Sequence, residues 1–381
     1  MFEMFRKIIL ITICLISFSS YAKHVTLVES VPLNTIYGQK DIPQTEPTWL
    51  NLIKHAHSSI DIGAFYLNTA RHSSMEKVIH ALKAAANRGV KVNILLDKLF
   101  KSQSATAVGE LKQNKKIHIR YVDIKKLTGG VMHAKYMIID RRYTFIGSQN
   151  FDWKAINQNH EIGVLIDNTA IAKTVTAVFN IDWTGHIPKR LQFKPVTHQH
   201  PVKLDGATLY PAFSPVKLIP HALDWELPRL LDLIDAAHTN IDVQLYQYSD
   251  FSTYKSHRHW YLIDDALVKA AKRGVKVHMI VSDVMRGKRA LKALKKLERY
   301  KNIRIKVSHV PAYKGRNMPY GRVEHAKFMV VDDNIIWIGT GNWSKDYFYN
   351  SRDMAVVVND KHLNTQLTRV FQQDWNGPYT K

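Results

Sequence analysis

HAKYMIIDRRYTFIGSQN, from His133 to Asn150, returns later in the chain as HAKFMVVDDNIIWIGTGN, from His325 to Asn342. Both obey one spacing: His, one residue, Lys, four residues, Asp, six residues, Gly, Ser or Thr, one residue, Asn. The β-branched and aromatic run after each His predicts a strand. Other pairs recur in the same order on either side. Ser59-Ile60-Asp61-Ile62 answers Asn240-Ile241-Asp242-Val243, and Arg88-Gly89-Val90-Lys91-Val92 answers Arg273-Gly274-Val275-Lys276-Val277. Asp182-Trp183-Thr184-Gly185 answers Asp374-Trp375-Asn376-Gly377. The offsets are 181 residues at the first pair, 185 at the Arg-Gly pair, and 192 at both the His motif and the Asp-Trp pair. Two copies of one unit, separated by small insertions, account for this order.

Each unit opens with a predicted strand, Ile60 to Tyr66 and Ile241 to Tyr248, followed by a helix, about Met75 to Asn87 and about Ile263 to Lys272. Gly89 and Gly274 lie just past those helices, where a residue without Cβ ends them. The apolar runs Val90 to Leu96 and Val275 to Val281 then read as buried strands. Strands alternating with helices predict an α/β unit with a parallel or mixed sheet. The Pro-, His- and Lys-rich stretch from Pro188 to Pro215 reads as the connection, with an N-terminal lobe over 23–203 and a C-terminal lobe over 204–381.

The chain has 381 residues, 45% hydrophobic and 23% charged, which excludes wholesale disorder. Its formal charge is +22, from 54 Lys and Arg against 32 Asp and Glu. Such a field favours polyanions: nucleic acid, an anionic membrane face or phosphorylated substrates. Residues 1–22 read as a signal peptide, with Arg6 and Lys7, an apolar run from Ile8 to Phe18, and Ser20-Tyr21-Ala22 before the cleavage point. No later stretch reads as a membrane span, and export to the periplasm or outside the cell is expected. Cys14, the single cysteine, falls in the leader. The processed chain therefore has no disulfide, thiolate metal site or cysteine nucleophile.

Residues i and i+2 share one face of a strand, so His133 and Lys135 point together, as do His325 and Lys327. An imidazole can attack or shuttle a proton, and a neighbouring ammonium can hold an anionic oxygen. A phosphodiester suits that equipment. The two Lys and the amides of Asn150 and Asn342 can stabilise charge on non-bridging oxygens without a metal, while one His serves as nucleophile and the other as general acid. Neither a metal nor a cofactor is called for by the spacing of the remaining His and carboxylates. Asp140 and Asp332 each follow an apolar strand and precede another, so both are expected to shape turns. Ser148 and Thr340, on the loops beside the Asn, are candidates for substrate contact. Glu161 and Asp353 stand eleven residues beyond each Asn in equivalent strands, where a carboxylate can fix an imidazole tautomer. Tyr66, Trp153, Tyr248, Trp260 and Trp343 are aromatics near the motifs that can stack on bases. His257 and His259 form a further, weaker pair.

These paired motifs resemble those of the phospholipase D superfamily over essentially the whole processed chain. The narrower resemblance is to the branch of mammalian family members three and four and their bacterial and poxviral relatives. It rests on short flanks: Val28-Glu29-Ser30 with Val31-Pro32, Lys126-Leu127-Thr128 with Gly130-Val131, and Met318-Pro319-Tyr320 with Arg322-Val323. Trp343-Ser344, and Asp374-Trp375 with Pro378-Tyr379, complete it. The resemblance implies two lobes related by a pseudo-twofold, a mixed sheet flanked by helices in each, and one active site between them. It also implies a metal-independent reaction through a phosphohistidine, with His133 the expected nucleophile. Relatives of this branch are exonucleases that release 3′-phosphomononucleotides from the 5′ end of single-stranded DNA or RNA. The expected function is thus an exported nuclease of single-stranded nucleic acid. The alternative is a phospholipase D or transphosphatidylase acting on glycerophospholipids.

Overall fold

The computed structural model describes residues 24–185, 201–252, 258–314, 318 and 321–381. The expected leader, His257, Pro319 and Tyr320 lie outside the described residues.

The strand that follows each motif histidine, Tyr136–Ile139 and Lys327–Val331, is buried at every position and sits centrally in its sheet. Apolar on both faces, it cannot be an edge. The first sheet runs in space Val25–Ser30, Glu161–Asp167, Tyr143–Gly147, Tyr136–Ile139, Ser59–Ala64, Lys91–Asp97, Ile117–Val122. The second runs Val202–Leu204, Ala207–Ser214, Asp353–Asn359, Ile335–Gly339, Lys327–Val331, Asn240–Leu245, Lys276–Ser282, Ile303–Ser308. Apart from the extra edge strand Val202–Leu204, the orders match element for element. In both sheets the last three strands pair in parallel through crossover helices and the others antiparallel. The sheets are mixed, as expected.

Ser74–Asn87 and Leu262–Lys272 form the predicted helices, and Gly89 and Gly274 adopt φ near +100° just beyond them. Together with Thr45–Lys54 and Glu226–Asp235 they cover the outer sheet faces, over separate cores. The inner faces share a single core. Ile138, Ile146 and Val164 of one sheet meet Phe328, Ile338 and Val356 of the other, and the helices Thr169–Thr184 and Lys361–Asn376 contribute Val175, Phe179, Val370 and Phe371. The lobes are therefore joined by a continuous apolar interior, which burial of this extent stabilises without staples.

Of the connection expected over Pro188 to Pro215, residues 188–200 lie outside the described residues. Asp205 and Gly206, at φ +50° and +85°, turn a tight hairpin, so that Val202–Leu204 and Ala207–Ser214 already belong to the second sheet. Among the described residues, no helix is long and apolar enough to cross a membrane.

Candidate active site

His133 and His325 line one cavity of about 490 Å³ between the lobes, together with Asn150, Asn342, Tyr66 and Tyr246. The two loops reach it by pairing with the opposite half. The backbone N–H groups of His133 and Ala134 donate to the carbonyl of Arg352, and that of Arg352 donates to Val131. Reciprocally, His325 donates to the carbonyl of His160, and His160 to that of Val323. Gly130 permits the first crossing, since a Cβ there would stand 2.3 Å from the Asn350 carbonyl carbon.

The carboxylates are exchanged in the same way. His133 Nδ1 bonds Asp353 Oδ1 at 2.9 Å, and His325 Nδ1 bonds Glu161 Oε2 at 2.7 Å. Each imidazole is thus oriented by the other lobe, and its Nε2 is left for the cavity. The crossing was not legible in the repeat, because spacing within one copy says nothing about which copy supplies the partner. Asp353 also accepts from Thr340 Oγ1 at 2.8 Å, whereas Glu161 accepts from Asn159 Nδ2 at 3.3 Å.

Lys135 and Lys327 lie fully buried behind the histidines, not on the cavity wall. Each ammonium donates to the carbonyl of its own motif histidine, His133 or His325, and lies over an aromatic ring: Phe65 at 5.5 Å, Tyr246 at 5.3 Å. Burial lowers Lys327 to about 7 and takes Lys135 well below the usual lysine range. The same burial, with Lys135, Lys327 and His325 as cationic neighbours, holds His133 well below its ordinary value, so the ring is neutral. His325 is also lowered by burial, but there the Glu161 carboxylate opposes the shift. Burial pushes Asp353 up to about 7.

The carboxamides of Asn150 and Asn342 face the cavity, and both Oδ1 atoms are buried without a hydrogen-bond partner. Tyr66 is on the wall, its hydroxyl donating to Asp152 at 3.3 Å. Three candidates for substrate contact are corrected. Ser148 and Thr340 are fully buried, their hydroxyls accepting from the backbone N–H of Ile162 and Met354, each at 3.0 Å, so they pin the adjoining strands. Trp343 is fully buried against Trp337 in the core of the second lobe. Trp260 belongs to that core as well. His259 faces Asp250 at 3.3 Å and stacks on Tyr261, away from the cavity.

Asp140 and Asp332 also lie off the cavity. At φ +53° and +51° they turn the chain, and their carboxylates gather N–H groups of residues 57–59 and 238–240. They are structural residues, as the turn reading expects.

Two clamps were missed by the sequence reading. Arg352, the residue before Asp353, is fully buried and makes a bidentate pair with Asp182 at 2.7 and 2.8 Å. His160, the residue before Glu161, occupies the matching position in the other copy. Its Nδ1 faces Glu324 at 2.8 Å and Asp374 at 3.3 Å, and its Nε2 faces Glu29 at 3.0 Å. The carboxylates raise His160 well above its ordinary value in spite of burial, so it is an imidazolium. The repeated Asp-Trp pair was the available signal: Asp182 and Asp374 each reach into the opposite lobe. His160, Glu324 and Asp374 are the one group among the described residues with three potential ligand atoms within 4.8 Å of one another. The separations within it are hydrogen-bond distances, and the cluster does not border the cavity.

Two histidines from exchanged loops, each backed by a carboxylate and facing one shared cavity, are the equipment of a phosphoryl-transfer enzyme with an internal twofold. The family model described as "Cardiolipin synthase, PLD-like domain" matches residues 49–183 and 230–375; the chain belongs to this phospholipase D-like family and is a phosphodiesterase. It is similar to the 5′-3′ exonuclease PLD3 of Homo sapiens, 32% identical over 93% of this chain and 79% of that one. It is also similar to the Caenorhabditis elegans protein named "Probable phospholipase D F09G2.8", 29% identical over 93% of this chain and 70% of that one. Among solved structures, the phosphatidylserine synthase of Haemophilus influenzae shares the fold, with a TM-score of 0.63, 15% identity, and 88% and 84% of the two chains covered.

Proposed function

We propose that this phosphodiesterase is a metal-independent nuclease of single-stranded DNA or RNA, acting from the 5′ end through a phosphohistidine. The observation that carries the chemistry is the pair of imidazoles on one cavity with Nδ1 held by a carboxylate and Nε2 available. Neutral His133 is the nucleophile. Its Nε2 forms a bond to phosphorus as the P–O5′ bond breaks, and His325 gives its proton to the leaving 5′ oxygen. Water then attacks phosphorus, His325 takes back a proton, and the P–N bond breaks to release a 3′-phosphate. Glu161 suits His325 to the acid role by favouring its protonated form. Asn150 and Asn342, with their amides turned to present Nδ2, can hold the non-bridging oxygens while buried Lys135 and Lys327 offset the developing charge.

The choice of nucleic acid rests on the net charge of +22 and on similarity over nearly the full chain to proteins named as exonucleases. The leader of residues 1–22 supports export. The test offers purified protein a 3′-labelled single strand in EDTA, with phosphatidylcholine and ethanol in parallel. Stepwise release of 3′-phosphomononucleotides in chelator is expected. Phosphatidylethanol formation without strand cleavage would transfer the site to the phospholipase reading, and abolition by EDTA would remove the metal-free mechanism.

A further inference from the structure

The helix Lys288–Leu297 has two opposed sides. Ala293, Leu294 and Leu297 are buried in the C-terminal lobe. Lys292, Lys295 and Lys296 share one face, three and four residues apart, and Arg299 continues it just past the helix end. All four are exposed. Glu298, the one acid between Lys288 and Lys301, turns away and accepts from the Ile305 N–H at 3.2 Å. None of the four cations is paired with a carboxylate among the described residues. Lys296 lies 3.8 Å from the centre of the Tyr261 ring, and Lys272 lies 5.8 Å from that of Tyr300, so aromatic rings are set among the charges.

The first copy does not repeat this feature. Its helix at the same place, between the last two parallel strands, is Ala105–Leu111, which holds no Lys or Arg. The stripe is therefore no requirement of the duplicated fold. Cations three and four residues apart repel one another, so in isolation the arrangement is unfavourable. Its position is also defined. Ala290 and Ala293 of the same helix line a hollow that shares Gln247 and Tyr347 with the catalytic cavity. The cations stand on the outer side of that helix, off the catalytic cavity itself.

The chemistry of the stripe limits its partner to a polyanion. Seven residues of rise spread the four charges over about 10 Å, a length that answers successive phosphates of one strand better than a single small anion. A bilayer surface is the poorer match. An interfacial helix sinks an exposed apolar face between the headgroups, and here Ala293, Leu294 and Leu297 are already packed in the core. We propose that the stripe is a second contact for the substrate, holding by its phosphates the part of a single-stranded nucleic acid that lies outside the catalytic cavity. This inference rests on the nucleic-acid reading of that cavity and adds a surface on which affinity for long strands depends.

The test neutralises the stripe in a triple variant, Lys292→Gln, Lys295→Gln and Arg299→Gln, leaving Lys296 on its tyrosine. Three substrates are compared over a range of salt: an oligothymidylate of about thirty nucleotides, thymidylyl-thymidine, and bis(p-nitrophenyl) phosphate. KM for the long strand should rise about tenfold with kcat unchanged. Its dependence on the logarithm of salt should flatten by about 2, from three phosphate contacts at roughly 0.7 each. Both small diesters should stay within about threefold of the parent, because they do not reach the stripe. Lys292→Arg with Lys295→Arg, which keeps the charge, should behave as the parent. A long-strand KM within about threefold of the parent's, with an unchanged salt slope, would overturn the inference. So would equal losses on all three substrates, which would make the stripe structural. Binding of phosphatidylglycerol vesicles by the parent and not by the variant, with the long strand's salt slope unchanged, would give the stripe to a membrane and overturn it too. A parent protein that hydrolyses bis(p-nitrophenyl) phosphate and neither nucleotide substrate would instead sink the nucleic-acid reading, and this inference with it.

Discussion

Arg352 and His160 occupy equivalent positions in the two halves, one residue before the carboxylate that orients the opposite lobe's histidine. Arg352 carries a permanent charge and meets one carboxylate, Asp182, in a planar two-bond pair. His160 has a titratable charge and needs three, Glu29, Glu324 and Asp374, to keep it. Gln244 donates to Asp374 at 2.7 Å, and Tyr37 stacks on the ring at 4.6 Å while bonding Ser308. The fold thus demands a buried cation at both crossings of the lobes. Where the residue cannot guarantee the charge, its surroundings do.

The sharpest way to break the symmetry is at the histidines. His133→Ala and His325→Ala should each reduce diester hydrolysis by about 10⁴-fold or more, with the double variant no worse, because both act on one phosphorus atom. Steady-state kinetics of the three proteins decides it. Independent, multiplying partial losses would mean two separate sites.

Next come the exchanged carboxylates. Asp353 is pushed up to about 7 by burial, and only its ionised form can accept fully from His133 Nδ1–H. Activity should rise as pH climbs through about 7, and Asp353→Asn should cost roughly 10²- to 10⁴-fold and remove that limb. A pH–rate profile of both proteins measures this.

The clamps differ in their response to pH. Arg352→Met leaves Asp182 buried and unpaired and should cost about 3–5 kcal/mol, seen as a lower midpoint of denaturant unfolding. His160 is held above its ordinary value, so its contribution is complete below that value and is lost as pH rises through the raised one. Unfolding midpoints of the parent should fall on the alkaline side. His160→Arg, which copies the other half, should flatten that fall; an unchanged alkaline slope would show that the imidazolium does not hold the crossing.

The smallest effect is expected at Thr340, which supports Asp353 where the first copy has Asn159 in contact with Glu161. Removing the hydroxyl takes away a bond that favours the ionised Asp353. Thr340→Val should move the limb near 7 upward and lower activity at pH 7 by less than tenfold. It should also cost about 1–3 kcal/mol, since the Met354 N–H loses its acceptor.

Much of this molecule is readable along the chain. The duplication, the strand–helix–strand succession ahead of each motif, the turns at Asp140 and Asp332 and the identity of the histidine, lysine and asparagine pairs follow from local periodicity and spacing, which record what one unit does with itself. Contacts between units leave no such trace. That Asp353 serves His133 and Glu161 serves His325, that the lysines lie behind the rings, and that Trp343 and Thr340 point into the core were decided by tertiary packing. The reason is geometric: alternation along a strand tells two faces apart, but only the meeting of the two inner sheets determines which face becomes interior and which borders the cavity.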